Sequence, residues 1–215
     1  MDRDRKETIE PMYRRFPLFV IFLCLLFVPV IGLAAQNEPK EVVKKLDAAL
    51  LEAMKGGDKL GYAGRYRLLA PVIRNSFDTY NTARIAAGQY WAGFSEEQRM
   101  EYLKTYYEWT VASYAGRFDE YSGQQFRLVS ETTPERAIVT VISNLIKRNG
   151  EEVEFNYLLT QVKGVWRIVD IRVSGVSQLA LTRAQFVDVL GKSGFRGLIK
   201  TLKGKIKDLE KGKGR

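Results

Sequence analysis

The chain has 215 residues, 46% of them apolar, and a formal net charge of +9, which suits one domain with a sizeable core. It has no histidine and a single cysteine, which excludes Ser-His-Asp chemistry, a histidine general base, histidine-ligated zinc and an internal disulfide. The charge is uneven: Lys192–Arg215 carries nine basic and two acidic residues, a pattern suited to an anionic membrane surface or an acidic partner.

Met1–Tyr13 is polar and charged, Arg14-Arg15 follows, and Phe16–Ala35 is an almost unbroken apolar run ending in Gly32, Ala34 and Ala35. This reads as a secretory signal peptide over residues 1–35, cleaved near Ala34 or Ala35. A run of about 20 residues is also long enough for an uncleaved membrane anchor. Cys24 lies inside the run, so the mature chain has no thiol. That points to the periplasm of a bacterial envelope, to a fold held by core packing alone, and to no encounter with nucleic acid.

Residues 36–210 then form one domain, with 211–215 as a basic tail. Lys40–Lys55 has Val42, Val43, Leu46, Ala49, Leu50 and Ala53 on one helical face, and Gly56-Gly57 is expected to stop it. Arg65–Phe77 reads as a short helix, a break at Pro71, and a further turn. Asp78–Trp91 is a helix with Asp78 as N-cap. Ser95–Phe118 opens with a capping box, Ser95 and Gln98. It carries a stripe of Met100, Leu103, Tyr107, Val111, Tyr114 and Phe118, and a second apolar set, Tyr102, Tyr106 and Trp109, on the opposite side. A helix with two apolar faces is either a wall sandwiched between two packed layers or one whose second face meets something other than the protein's own core.

The period then becomes strand-like. Gln124–Ser130, Arg136–Lys147, Glu151–Gln161 and Val165–Val173 are strands, the second and third joined by the Asn149-Gly150 turn signal. Gln178–Leu190 and Phe195–Leu209 are helices. Helices, then a meander, then helices predict an α+β fold: a four-stranded curved antiparallel sheet packed against several helices.

At Trp166, Ile168, Asp170, Ile171, Gly175-Val176-Ser177, Arg183, Phe186, Gly194-Phe195 and Leu198, the chain resembles the periplasmic phospholipid-carrier family of the Mla system (MlaC, also called the toluene-tolerance auxiliary proteins). Phe77, Asp78, Gly88, Tyr90, Trp91 and Tyr114 fit the upstream part of the same pattern, so the resemblance covers the whole mature chain. It also fits the hopanoid-associated HpnM branch. It departs from the general pattern in its lysine-rich tail and in Thr79-Tyr80. The resemblance implies a helix-backed antiparallel sheet with a deep apolar pocket between sheet and helices, and a carrier without catalysis or cofactor. Such a carrier binds a phospholipid or hopanoid and shuttles it between an inner-membrane ABC transporter complex with a MlaD-type subunit and an outer-membrane lipoprotein complex, with transient contact at the membrane surface.

Apolar surplus on the central helix and on two strands, read with that resemblance, marks Tyr106, Trp109, Phe126, Leu128, Val139, Val141, Phe155, Tyr157 and Trp166 as pocket lining. Ordinary core is an equal alternative for each alone. Buried acyl chains supply about 0.8 kcal/mol per methylene, so affinity needs no specific polar contact. Arg183 is a candidate for the pocket mouth, facing a phosphate, with an ion pair to Asp170 or Asp188 as the alternative. Asp170 reads as a structural partner rather than an acid catalyst. Asp119-Glu120 and Glu151-Glu152 lie at turns and read as solvated, and the glycines form no phosphate loop. Two other functions fit the chain: a small isomerase or hydratase in an α+β cone, and an interaction protein anchored by its N-terminus.

Overall fold

The computed structural model describes residues 38–132 and 137–213. The signal-peptide and cleavage expectations lie outside these residues. The elements are helix α1 (Pro39–Ser76), α2 (Thr79–Ala87), a 3-10 turn (Gly88–Gly93), α3 (Glu96–Arg117), strands β1 (Gln125–Glu131), β2 (Val139–Ile146), β3 (Glu152–Val162), β4 (Val165–Val173) and β5 (Val176–Ser177), and helix α4 (Gln178–Glu210). The sheet runs in sequence order from β1 to β5 with antiparallel pairing throughout. The fold is α+β as expected. The sheet has a fifth short strand that sequence periodicity missed, because two residues are too few to show a period of two.

The glycine signal in α1 is a break rather than an end. Gly57 (φ 40°) and Gly61 (φ 57°) leave helical geometry, and the helix resumes beyond them. Arg65 fastens the break: its Nη1 donates to Gly57 O at 2.9 Å, and its Nε donates to Ala115 O of α3 at 2.8 Å. The break expected at Pro71 does not form, and the helix continues to Ser76. A proline removes one backbone donor, a loss that tertiary packing here outweighs. Gly194 (φ 62°) likewise separates the two helices foreseen in α4.

Caps act where the sequence places them. Asn81 N donates to Asp78 Oδ1 at 3.1 Å to start α2. Ser95 and Gln98 form the reciprocal capping box of α3, at 2.9 and 3.3 Å. Asp170 is structural: Oδ1 accepts from Ile171 N and Leu179 N, and Oδ2 accepts from the Ser177 hydroxyl, tying β4 to the start of α4.

Two apolar clusters meet on α3. One joins α1, the inner sheet face, and Val111 and Ala115 of α3; Tyr107, Tyr114 and Phe118 pack against it. The other joins α2, α4, and Tyr102 and Tyr106 of α3, with Leu103 and Trp109 against it. The two-faced helix is therefore a wall between layers. The expected six-residue stripe holds only from Tyr107 onward, since Leu103 joins the second cluster and Met100 is 59% exposed. Tyr107 donates to Ala70 O at 2.8 Å, near the end of α1.

Candidate functional site

The register of the sheet fixes where its inner face is filled and where it is open. One cross-strand row, Val139, Leu159 and Ile168, is buried against α1. In the next row Val141, Tyr157 and Ile171 are all buried in the same cluster, and Tyr157 and Ile171 also border a cavity. In the third, Phe155 and Val173 line that cavity. The register shift opposite Leu158 and Leu159 lets Ile168 and Ile171, three residues apart, both be buried.

The cavity has a volume of about 920 Å³, near the upper end of the ~300–1,000 Å³ usual for ligand pockets. α3 contributes Tyr106, Trp109, Thr110, Ser113 and Tyr114, with Phe118 just past its end, α4 contributes Leu179, Leu181 and Thr182, and α1 contributes Leu50 and Met54. About half of the wall is aromatic or aliphatic, and hydroxyl, amide and charged side chains make up the rest. Trp109 lies 5.7 Å from the Tyr106 ring and 5.3 Å from Phe186. Phe155 stacks on Tyr157, and Tyr114 on Phe118. Charge collects among lining residues at and just beyond the ends of α3 and α4: Arg117, Asp119, Glu120, Lys205, Asp208 and Lys213. Of these, Arg117, Glu120, Asp208 and Lys213 are exposed, which marks that end as open to solvent.

One buried carboxylate stands behind the wall. Asp47 of α1 accepts from the Ser143 hydroxyl at 2.7 Å and from the Tyr157 hydroxyl at 2.9 Å. Burial pushes its carboxyl up from 3.8 to about 6, against the two hydrogen bonds, which act to lower it. Burial and the neighbouring Asp47 raise the Tyr157 phenol well above its ordinary value, and burial pushes Tyr106 up to about 12. The phenols of the wall are therefore neutral apolar surface with an internal hydrogen bond. Among the described residues no group of carboxylates or thiols is arranged to hold a metal.

Of the residues singled out in the sequence, Tyr106, Trp109, Phe155 and Tyr157 meet in this cavity. Val139 and Val141 lie in the solid core beside it, because α1 covers their part of the sheet. Phe126, Leu128 and Trp166 pack against the same core; Phe126 touches Phe118 and Phe155, one layer behind the wall. Arg183 is not at the cavity and, among the described residues, pairs with neither Asp170 nor Asp188. It lines a smaller concavity of about 400 Å³ with Arg84, Ile85 and Trp91, because Thr182 takes the cavity-facing position and the next residue turns about 100° away. Sequence reasoning missed Thr110, Ser113 and Thr182, small polar residues that a search for apolar surplus passes over. It also missed Leu179 and Leu181, whose signal was the apolar start of α4.

A family model described as MlaC protein matches residues 44–204. The chain is 29% identical over 139 residues to the intermembrane phospholipid transport system binding protein MlaC of Haemophilus influenzae, covering 61% of this chain and 65% of that protein. It is 23% identical over 201 residues to the toluene tolerance protein ttg2D of Pseudomonas putida, covering 90% of this chain and 91% of that one. A solved phospholipid-binding protein from Ralstonia solanacearum, in complex with a phospholipid, superposes with a TM-score of 0.70 at 24% identity, over 80% of this chain and 98% of the other.

Proposed function

The chain belongs to the MlaC family, and from that premise we propose that it is a non-enzymatic lipid carrier. It binds a phospholipid, with its acyl chains in the cavity between the sheet and α3 and α4. It carries that lipid through the periplasm between an inner-membrane ABC transporter complex and an outer-membrane lipoprotein complex. The carrying observation is the cavity itself: a large space, about half of its wall aromatic or aliphatic, left open inside a fold whose remaining sheet face is solidly packed. At about 0.8 kcal/mol per buried methylene, two acyl chains supply roughly 20 kcal/mol of gross burial, before the cost of ordering the lipid.

Tyr106, Trp109 and Phe155 are the side chains that touch the chains of the lipid, with the buried Tyr157 behind them. Arg117, Lys205 and Lys213, at the charged end, face its phosphate. The wall is built for binding and release. Its carboxylates do not point to acid–base work: Asp119, Glu120 and Asp208 stand at the charged end, Asp170 is occupied by Ile171 N, Leu179 N and Ser177, and Asp47 behind the wall is buried and occupied by Ser143 and Tyr157.

The test is to export the full chain, recover the periplasmic protein, extract it with organic solvent and identify lipids by mass spectrometry. Phospholipid in near-stoichiometric amount is the expected result; a hopanoid would change the cargo and keep the carrier. Protein that is lipid-free from several preparations would overturn the reading. N-terminal sequencing of the same sample is expected to start near Ala35 or Gln36.

A further inference from the structure

The smaller concavity lies apart from the cavity assigned above. Arg84 and Arg183 both line it, with Ile85, Gly88 and Trp91, and no acidic residue lines it. Gly88 makes it possible. A Cβ built there would sit 2.8 Å from Val187 Cγ2, and 3.7 and 3.8 Å from Arg183 Nε and Nη2. Only a glycine lets α4 bring Arg183 this close to the end of α2. A third guanidinium, that of Arg99, lies 5.3 Å over the Trp91 ring and donates to Ala92 O at 3.4 Å. Among the described residues none of the three arginines has an ion pair. Beside them Tyr80, 55% exposed, meets Trp91 edge-on at 6.0 Å.

We propose that this concavity is a docking site for an acidic side chain on a protruding segment of a partner protein. Two guanidiniums sharing one hollow repel each other until an anion lies between them, and a carboxylate accepts from both forks. Trp91 and Ile85 supply the apolar surface on which the stem of a glutamate rests. Arginine, tryptophan and tyrosine grouped around a concavity are the composition of an interface anchor. A bilayer presents a flat and diffuse charge, whereas a hollow selects something that protrudes. The site borders α2 and α4, which through Thr82, Leu179 and Thr182 also wall the large cavity. A partner seated there therefore bears directly on the helices that enclose the cargo. This goes beyond the carrier reading by naming a docking residue set and the chemistry of what docks.

The test places a photo-crosslinking phenylalanine analogue at Gln89, an exposed residue of the hollow, in the full exported chain in cells. Mass spectrometry then locates the crosslinked residue on the partner. The expected result is a protein crosslink within an Asp- or Glu-containing segment, reduced at least tenfold by R84E/R183E. Reversing the identified partner acid to lysine should restore it in that variant. Bound lipid per chain, measured on the same samples, is expected to be unchanged by R84E/R183E. Crosslinks to lipid alone, to a segment without acids, to nothing, or at undiminished yield in the double variant would overturn the proposal. Lipid-free parent protein would instead overturn the carrier reading, so the two failures are separable.

Discussion

The Tyr157 hydroxyl donates to Asp47 Oδ1 at 2.9 Å, joining the cavity wall on β3 to a buried carboxylate of α1. With Ser143 on the other oxygen, this one side chain fastens the first helix to two neighbouring strands. The fastening titrates. The folded state holds the Asp47 proton up to about pH 6, whereas the ordinary value is 3.8. Between those values the folded chain binds more protons than the unfolded one, so this group's contribution falls as pH rises through the window and is fully lost above it. The difference is on the order of 3 kcal/mol. In Asp47→Asn the fall between pH 4 and 6 should flatten relative to the parent, and at pH 7 the variant should be at least as stable. Urea unfolding of both proteins at pH 4, 5, 6 and 7 checks this; parallel curves would remove Asp47 as the titrating group.

The cavity should be fillable without touching the core. Ser113 lines it from α3 and is half-buried. Ser113→Trp should lower bound lipid per chain several-fold while leaving the thermal midpoint within a few degrees of the parent. Lipid extraction with mass spectrometry, beside a thermal melt, reads both. A bulky change at Val139, which periodicity alone would recommend, should instead lower stability by about 1–3 kcal/mol through overpacking, because that side chain sits in the solid cluster under α1.

This contrast shows which parts were legible in the sequence. Local signals were: the capping box at Ser95, the N-cap at Asp78, the Asn149-Gly150 turn and the alternation of β3 all act through neighbours a few residues away. The identity of the cavity wall was not. Val139, Val141, Phe155 and Tyr157 share the inner side of the sheet and the same apolar character. Only the placement of α1 across part of that face decides which pack against protein and which face open space. Arg183 failed for a related reason, since one position along a helix turns a side chain from one cavity to another. The resemblance to a carrier family implied an enclosed pocket, but not which rows of the sheet border it.

Gly88 and Gly194 have the same backbone sign, with φ of 60° and 62°, but different surroundings. A Cβ at Gly194 would meet nothing within 4 Å, whereas one at Gly88 would meet Val187. Gly194→Ala should therefore cost about 1 kcal/mol from backbone strain alone, and Gly88→Ala about 2–4 kcal/mol from strain plus the clash. Combining Gly88→Ala with Val187→Ala should cost less than the sum of the two single changes. Urea midpoints for the four variants test the ordering. Equal losses at Gly88 and Gly194 would mean that α4 yields at Val187.

The basic end of α4 is built on a packed helix, and that determines how its charge can be tested. Leu209 is buried against Gly116 of α3, so cutting the chain at Lys203 would strip a core contact along with the lysines. Lys203 and Arg196 also pair with Glu101. Lys200, Lys207 and Lys211 are exposed and have no ion pair among the described residues, so their charge is available to an anionic surface. Near such a surface each contributes roughly 1 kcal/mol. The triple change of these lysines to glutamine should slow lipid transfer to anionic vesicles at least tenfold at low salt, with no change in bound lipid or thermal midpoint. In 1 M salt, where charge is screened within about 3 Å, parent and variant should transfer at the same rate. Equal transfer at low salt would leave these lysines as a solvated helix face and place membrane contact elsewhere on the molecule.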